Sequence, residues 1–195
     1  MRIFIIVIIL IFSLQSLSKA DNITEFEIEG ISLYDSALLY FSKNDLKDDV
    51  AKYYTSDKFS TSTIWKSFEK YDYLQLSFKK NDSKYIIQDL TGNKRVSYLD
   101  CLEELKDIEN IISNLYENSS DVRNDGKRTY DHPADKSGES KITDVAWYFN
   151  SGDAIVAQCY NWDSDFGRQN NQRDNLAISI SNKEIDTWFT GEAYE

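Results

Sequence analysis

Ile142-Thr143-Asp144-Val145-Ala146-Trp147-Tyr148-Phe149-Asn150-Ser151-Gly152-Asp153-Ala154-Ile155-Val156-Ala157-Gln158-Cys159-Tyr160-Asn161-Trp162 is the stretch on which the fold turns. Two runs rich in β-branched and aromatic residues flank Asn150-Ser151-Gly152-Asp153, a cluster that favours a turn, so the segment reads as a β-hairpin. With a four-residue turn and regular pleating, Ala146, Tyr148, Ile155, Ala157 and Cys159 share one face. Val145, Trp147, Phe149, Val156, Tyr160 and Trp162 share the other. The second of these expected faces is strongly aromatic. Terminal helices cover it, or it is left open as a binding surface made of Trp147, Phe149, Tyr160 and Trp162.

Upstream, Ser97 with Asp100 forms a capping pattern, and Tyr98, Cys101, Leu102, Leu105, Ile108, Ile112 and Leu115 follow at helical spacing. This predicts a helix over 98–117. Before it, Leu74, Leu76 and Phe78 alternate with Tyr73, Gln75 and Ser77, and a polar turn at 80–83 leads into 85–90, a first hairpin. Nearer the start, Ser32 with Asp35 and Ser42 with Asp45 cap short apolar stripes that predict helices at 33–41 and 43–54; a short edge strand fits 61–68. Residues 118–141 are charged and turn-rich, hold the only proline, and read as a long surface loop. A further polar loop spans 163–174, a strand spans 176–180, and Ser181 with Glu184 caps a last helix containing Ile185, Trp188 and Phe189. The order α(α)ββ-α-βββ-α, with hairpin-like connections, predicts an α+β fold: an antiparallel sheet of about five strands packed by three to four helices.

The chain has 195 residues with 22 Lys or Arg, 33 Asp or Glu and one His. Residues 3–14 form an apolar run after Arg2, and Ser18 and Ala20 stand where a signal peptidase reads small side chains, which predicts a signal peptide over 1–20 cleaved before Asp21. The apolar run is shorter than a bilayer span, and Asp21 is not the cysteine of a lipoprotein, so no stable membrane anchor is expected after cleavage. Removing the leader takes Arg2 and Lys19 and leaves a single acidic domain, 21–195, of net charge −13. Such a surface repels phosphate backbones, and no basic cluster offsets it, so nucleic acid is not an expected partner. The expected location is the periplasm or the medium. Two cysteines there, Cys101 and Cys159, predict a disulfide, since one histidine and no C-x-x-C unit leave a zinc site short of ligands.

Chemistry is harder to place. His132 sits beside Asp131, but neighbours in sequence seldom aim at one another and no nucleophile motif accompanies them; a solvated loop histidine is the expectation. Acidic residues are plentiful, for example Glu25, Glu27 and Glu29, or Glu103 and Glu104, yet a glycosidase needs two carboxylates at a separation that only the fold sets. Asn161, Asp163 and Asp165 alternate like the start of a calcium loop, but Phe166 and Gln172 stand where glycine and a bidentate glutamate belong, so a polar turn is expected. The earlier stretch 121–126 fails in the same way, with Arg123 at a ligand position. Seven glycines form no phosphate cradle. No catalytic residue, metal ligand or cofactor is nominated. Asn22, Asn81 and Asn118 begin glycosylation triplets, which matter only in a eukaryotic secretory route.

The opening Ile23-Thr24-Glu25-Phe26-Glu27-Ile28-Glu29-Gly30-Ile31-Ser32, with Asp35-Ser36 and Tyr40-Phe41-Ser42, resembles a group of uncharacterised small exported proteins of marine alphaproteobacteria. The Ser151-Gly152-Asp153 turn, Cys159-Tyr160, and Ile178-Ser179-Ile180-Ser181 through Trp188 extend the likeness along most of the chain. The resemblance implies export and a shared fold, and it carries no activity. Glu29-Gly30-Ile31-Ser32 entering a helix is also similar to small outer-membrane assembly lipoproteins of the BamE type, from which the chain departs at Asp21. Three functional expectations follow: a non-enzymatic periplasmic binding or interaction module for an unidentified protein or small molecule, a periplasmic hydrolase using paired carboxylates, or an envelope assembly factor. Oligomeric state is left open.

Overall fold

The computed structural model describes residues 23–193, so the expected leader and its cleavage point lie outside the described residues. The chain builds a seven-stranded antiparallel sheet in the order β3-β4-β5-β9-β8-β7-β6, with helices on its faces. A two-stranded ribbon of β1 (Glu27–Ile28) and β2 (Ile31–Ser32) precedes it. The large sheet comprises β3 (Phe59–Ile64), β4 (Tyr73–Lys79), β5 (Ile87–Arg95), β6 (Val122–Asp131), β7 (Lys141–Phe149), β8 (Ala154–Asn161) and β9 (Asn175–Ser181). The helices are α1 (Asp45–Asp48), α2 (Tyr98–Leu115), α3 (Ser164–Asn170) and α4 (Lys183–Gly191). The α+β class and the antiparallel sheet stand as expected, and the sheet is larger than five strands.

The added strands explain the difference. β6 occupies much of the 118–141 stretch expected to be a loop. It is an edge strand whose residues are almost all solvated, so it lacks the apolar alternation that marks a half-buried strand. Its pairing with β7 is interrupted between Asn124 and Lys127 by a bulge, and the strand carries Arg123, Asp125, Lys127 and Arg128, both devices that discourage further edge pairing. The other edge, β3, is partly covered: Ala51 N donates to Thr61 O and Thr63 N donates to Asp49 O.

The expected helices at 33–41 and 43–54 shrink to a 3₁₀ turn at Ala37–Leu39, capped by Ser36, and to the four-residue α1. Their apolar stripes are still used, because Leu33, Ala37, Phe41 and Leu46 are buried. Between Ser42 and Asp45 the expected reciprocal capping bonds form, at 2.9 and 3.2 Å. The 163–174 loop contains α3, whose first amides, Asp165 N and Phe166 N, both donate to Asp163 Oδ1 at 2.9 Å. The cap of α4 is Asn182 rather than Ser181.

α2 lies where its sequence placed it, with Ser97 as cap and Cys101, Leu105 and Ile112 buried against the sheet. Cys101 and Cys159 are disulfide-bonded, their Cα atoms 5.8 Å apart, which fixes the helix to β8. The covered face beneath it includes Leu74, Leu76, Leu90, Val145, Trp147, Ile155, Ala157, Leu176, Ile178 and Ile180, all members of one core cluster. Gly92, paired with Leu74 and Ile178, lies on this face, and a Cβ there would come within 2.7 Å of the Tyr71 ring.

The hairpin register corrects an expectation. Val145 pairs with Ala157 and Trp147 with Ile155, so Trp147 and Phe149 share the covered face with Cys159 instead of opposing it. The turn holds three residues, not four: Phe149 N donates to Asp153 O at 2.9 Å, and Gly152 adopts φ +89°. A one-residue change in turn length reverses which pairs face together, and the left-handed glycine is what closes the shorter loop.

Candidate functional site

The face opposite α2 is lined by the alternate residues of the same strands. Pairing places Gln75, Thr91, Asn93, Ala177, Ser179, Val156, Gln158, Tyr160, Asp144, Tyr148, Arg128 and Tyr130 on it. Its composition is polar where the covered face is apolar. Side chains link along β8 and from β8 across β7 to β6. Tyr160 OH donates to Gln158 Oε1 at 3.0 Å, Gln158 Nε2 donates to the Tyr130 hydroxyl at 3.4 Å, and that hydroxyl donates to Asp144 Oδ2 at 2.9 Å. Arg128 grips the same carboxylate with two bonds, Nε to Oδ1 and Nη2 to Oδ2, each 3.1 Å. On the strands beyond, Asn175 Nδ2 donates to Asn93 Oδ1 at 3.1 Å.

Electrostatics separate the members of this array. The Asp144 side chain is 2% exposed and that of Arg128 is 47% exposed, so the arginine closes over a buried carboxylate and keeps its own outer edge in water. That pairing holds the guanidinium above its ordinary value, the hydrogen bond to Asp144 being the main cause. Burial, followed by the charge of Asp144, pushes the Tyr130 phenol up, so it remains a hydrogen-bond donor. Tyr148 is pushed up by burial and then by Asp186 of α4, and Arg123 lies 5.3 Å from its ring centre.

Of the four aromatic residues expected to form a binding surface, the structure keeps two together on this face. Trp147 and Phe149 are buried in the core, 1% and 5% exposed. Trp147 Nε1 donates to Ser113 Oγ of α2 at 3.4 Å, an attachment to the helix side of the sheet. Tyr160 and Trp162 are half-buried and stack at 5.8 Å with planes 8° apart; Trp162 stacks in turn on Phe166 at 5.6 Å and 4°. Beside them is an open depression of about 320 Å³, whose walls include Trp162, Asp163, Arg168, Gln172 and Arg173. The polar members of the array, Gln158, Asp144, Arg128 and Tyr130, were missed at the sequence level. Their only trace is the polar alternation of β8, which any half-solvated strand shows.

His132 is not a solvated loop residue. It is buried, its ring lies 4.2 Å from that of Trp162, and Nδ1 accepts from Ala134 N at 3.1 Å, which leaves any ring proton of the neutral form on Nε2. Burial pushes its pKa down to about 4, against the weaker opposite pull of Asp135. Asp135 organises the turn that follows: its Oδ1 accepts from Ser137 N and Oγ, and its Oδ2 from Ser140 N and Oγ. These bonds, those of the Ser140 and Ser137 hydroxyls first, hold the carboxyl well below its ordinary value.

At the other end of the same strands α4 covers the face. Asp89 of β5 is 3% exposed there. Desolvation raises it to about 7, opposed by a bond from Thr91 and assisted by Asp186. Asp186 is itself raised by burial. Among the described residues, no three His, Cys, Asp or Glu side chains are grouped to hold a metal ion, and no helix is long and apolar enough to cross a membrane. No protein-family model, curated protein or solved structure matches the chain.

Proposed function

We propose that the protein is an exported, non-enzymatic binding module that takes a polar, hydroxyl-bearing ligand on the sheet face opposite α2. The observation that carries this reading is the Tyr160-Gln158-Tyr130-Asp144-Arg128 array, in which amide, phenol and guanidinium groups are held in fixed positions while part of each outer member meets solvent. A preset array of donors and acceptors loses little entropy on binding, and tyrosine supplies contact area with few rotatable bonds. The acidic chain disfavours polyanionic ligands. Export is supported by the leader-like 1–20 segment and agrees with the disulfide.

Amide chemical shifts recorded during titration with a panel of neutral oligosaccharides test the proposal. Perturbations centred on β6, β7 and β8, abolished in a Tyr130→Ala, Gln158→Ala double variant that retains its fold, are the expected result. Perturbations confined to the depression beside α3, or none across the panel, would overturn it. One observation favours the hydrolase reading: Asp186 acts on Asp89 and burial raises both carboxyls, and perturbed acids of this kind gather at functional sites. Asp89 lies beneath α4, however, so a substrate reaches it only when that helix moves. The envelope-assembly reading rests on the opening likeness alone.

A further inference from the structure

α4 docks across the β3–β5 end of the polar face through contacts of two kinds. The first is apolar: Ile185, Trp188 and Ala193 cluster with Phe59, and Tyr54 and Phe189 pack alongside. The rings of Trp188 and Phe59 lie 5.2 Å apart. The second is a set of polar anchors at the two ends of the helix. Asn182 Nδ2 donates to Gln88 Oε1 at 2.6 Å, Lys79 and Lys58 reach Glu184 at 2.6 and 3.7 Å, and Trp188 Nε1 donates to Ser56 Oγ at 2.9 Å.

Between these contacts lies Asp89, with hydroxyl groups as its neighbours. Thr91 Oγ1 donates to its Oδ2 at 3.2 Å, and Ser77, across the β4–β5 pair and 2.8 Å from Thr61 Oγ1, is a second hydroxyl that favours its ionised form. The charged and titratable groups facing it are Asp186 from α4 and the Tyr53 phenol from the segment before β3; Asp186 is in turn partly offset by Arg128 of β6. Among the described residues no cation forms an ion pair with Asp89, and the nearest charge therefore repels its ionised form. An unpaired carboxylate at a closed interface is tolerated when protonated and strongly disfavoured when ionised.

We propose that α4 is a pH-gated latch, closed over the β3–β5 end of the sheet when Asp89 is protonated and released when Asp89 ionises against Asp186, uncovering the aromatic cluster around Trp188. The sign follows from linkage. With α4 lifted, Asp89 meets water and ionises in the ordinary carboxylate range; with α4 closed it keeps its proton up to about 7. Opening is therefore promoted as pH rises through the interval between those values and levels off above it. His132, the only histidine, is pushed down to about 4 and stays neutral over most of that interval.

Hydrogen exchange of the α4 amides, corrected for intrinsic rates and followed from about pH 4.5 to about pH 8.5, reads the opening constant directly. In the unaltered protein it is expected to rise by up to about ten-fold per pH unit and to flatten near neutrality, while the α2 amides keep a constant protection. Asp89→Asn, which imitates the protonated acid, is expected to give a flat profile. Asp186→Asn, which removes the facing charge, is expected to bring the plateau to lower pH. A flat profile in the unaltered protein, or the same rise surviving in Asp89→Asn, would overturn the latch; should Asp89→Asn fail to fold, an unmoved plateau in Asp186→Asn would do so.

Discussion

The two ends of the polar face bury carboxylates in opposite ways. At the β8–β9 end near Tyr160 and Asn175, Asp135 receives four hydrogen bonds from two serines in its own turn and is stabilised as an anion. At the Ala154–Ser181 end, Asp89 meets only the hydroxyls of Thr91, at 3.2 Å, and Ser77, faces a second acid, and is stabilised as a neutral group. Both side chains are nearly out of contact with solvent, 5% and 3% exposed, but desolvation is the first cause at Asp89 and is outweighed by hydrogen bonds at Asp135, so depth and donor supply together decide the difference. A carboxylate with backbone and hydroxyl donors on both oxygens resists protonation; one walled by a helix and another carboxylate resists ionisation. The buried histidine adds to the contrast. His132 lies at the Asp135 end, and its cost appears in acid, whereas the cost of Asp89 appears as pH rises.

The largest expected effect separates the two ends by packing. Trp188→Ala removes a side chain of 0% exposure that touches Tyr54, Phe59 and Phe189, and is expected to cost about 3–5 kcal/mol, measured by denaturant unfolding. Trp162→Ala removes a half-buried ring from the stack at the opposite end and is expected to cost about 1–2 kcal/mol. Equal losses would mean that the ends are not packed as differently as their exposure indicates.

A change common to both ends provides the reference. Replacing Cys101 and Cys159 by alanine opens a closure of 58 residues between α2 and β8, on the other side of the sheet. By the chain-entropy argument this costs roughly 4 kcal/mol at all pH values. Guanidinium unfolding at several pH values is expected to show a parallel downward shift. A shift that varied with pH would tie the disulfide to one end of the face and remove it as a neutral reference.

Much of this architecture was legible because it depends on periodicity. α2 announced itself by a cap and an unbroken stripe, and the disulfide by an even pair of cysteines behind a leader-like segment. β6 was hidden because an edge strand needs only backbone pairing, and its charged residues carry no apolar period. The two early helices were over-read since 3₁₀ turns and irregular segments also bury residues three and four apart, as Leu33, Ala37 and Phe41 do. The hairpin faces were exchanged by a single turn residue. The polar array was out of reach for a related reason: Tyr130 meets Asp144 and Gln158 only because β6 is a strand and because β7 and β8 pair in the observed register. No spacing within either segment encodes that meeting.

Asp89→Asn sharpens the contrast at the α4 end. A carboxyl raised from the ordinary range to about 7 withholds stability as pH rises, because the unfolded chain gives up its proton first. Asp89 is therefore expected to withdraw on the order of 2–4 kcal/mol between about pH 4 and about pH 7, and the variant to gain that much on the unaltered protein across the interval. Unfolding free energies across that interval measure the difference. A variant less stable than the unaltered protein at about pH 8 would show that Asp89 is held as an anion after all.

The smallest effect lies at the other end and has the opposite sign. His132 is held neutral: Nδ1 is occupied by the Ala134 amide, and the ring is enclosed by Trp162 and Tyr160. Its pKa falls from the ordinary 6.5 to about 4, so as pH drops through that interval the unfolded chain takes up a proton that the folded chain refuses. Stability present above about 6.5 is lost progressively toward about 4. Relaxation of the turn around the ring as it charges holds the loss below the full value of the shift, at about 1–2 kcal/mol. His132→Asn keeps an acceptor for the Ala134 amide and has nothing to titrate; because the His132 window overlaps that of Asp89 with the opposite sign, the variant is expected to steepen the fall in stability as pH rises from about 4 to about 6.5. If instead the Asp89-dependent plateau near neutral pH moves in His132→Asn, the two ends of the face are coupled through β8 and β9, and the argument that treats them separately fails.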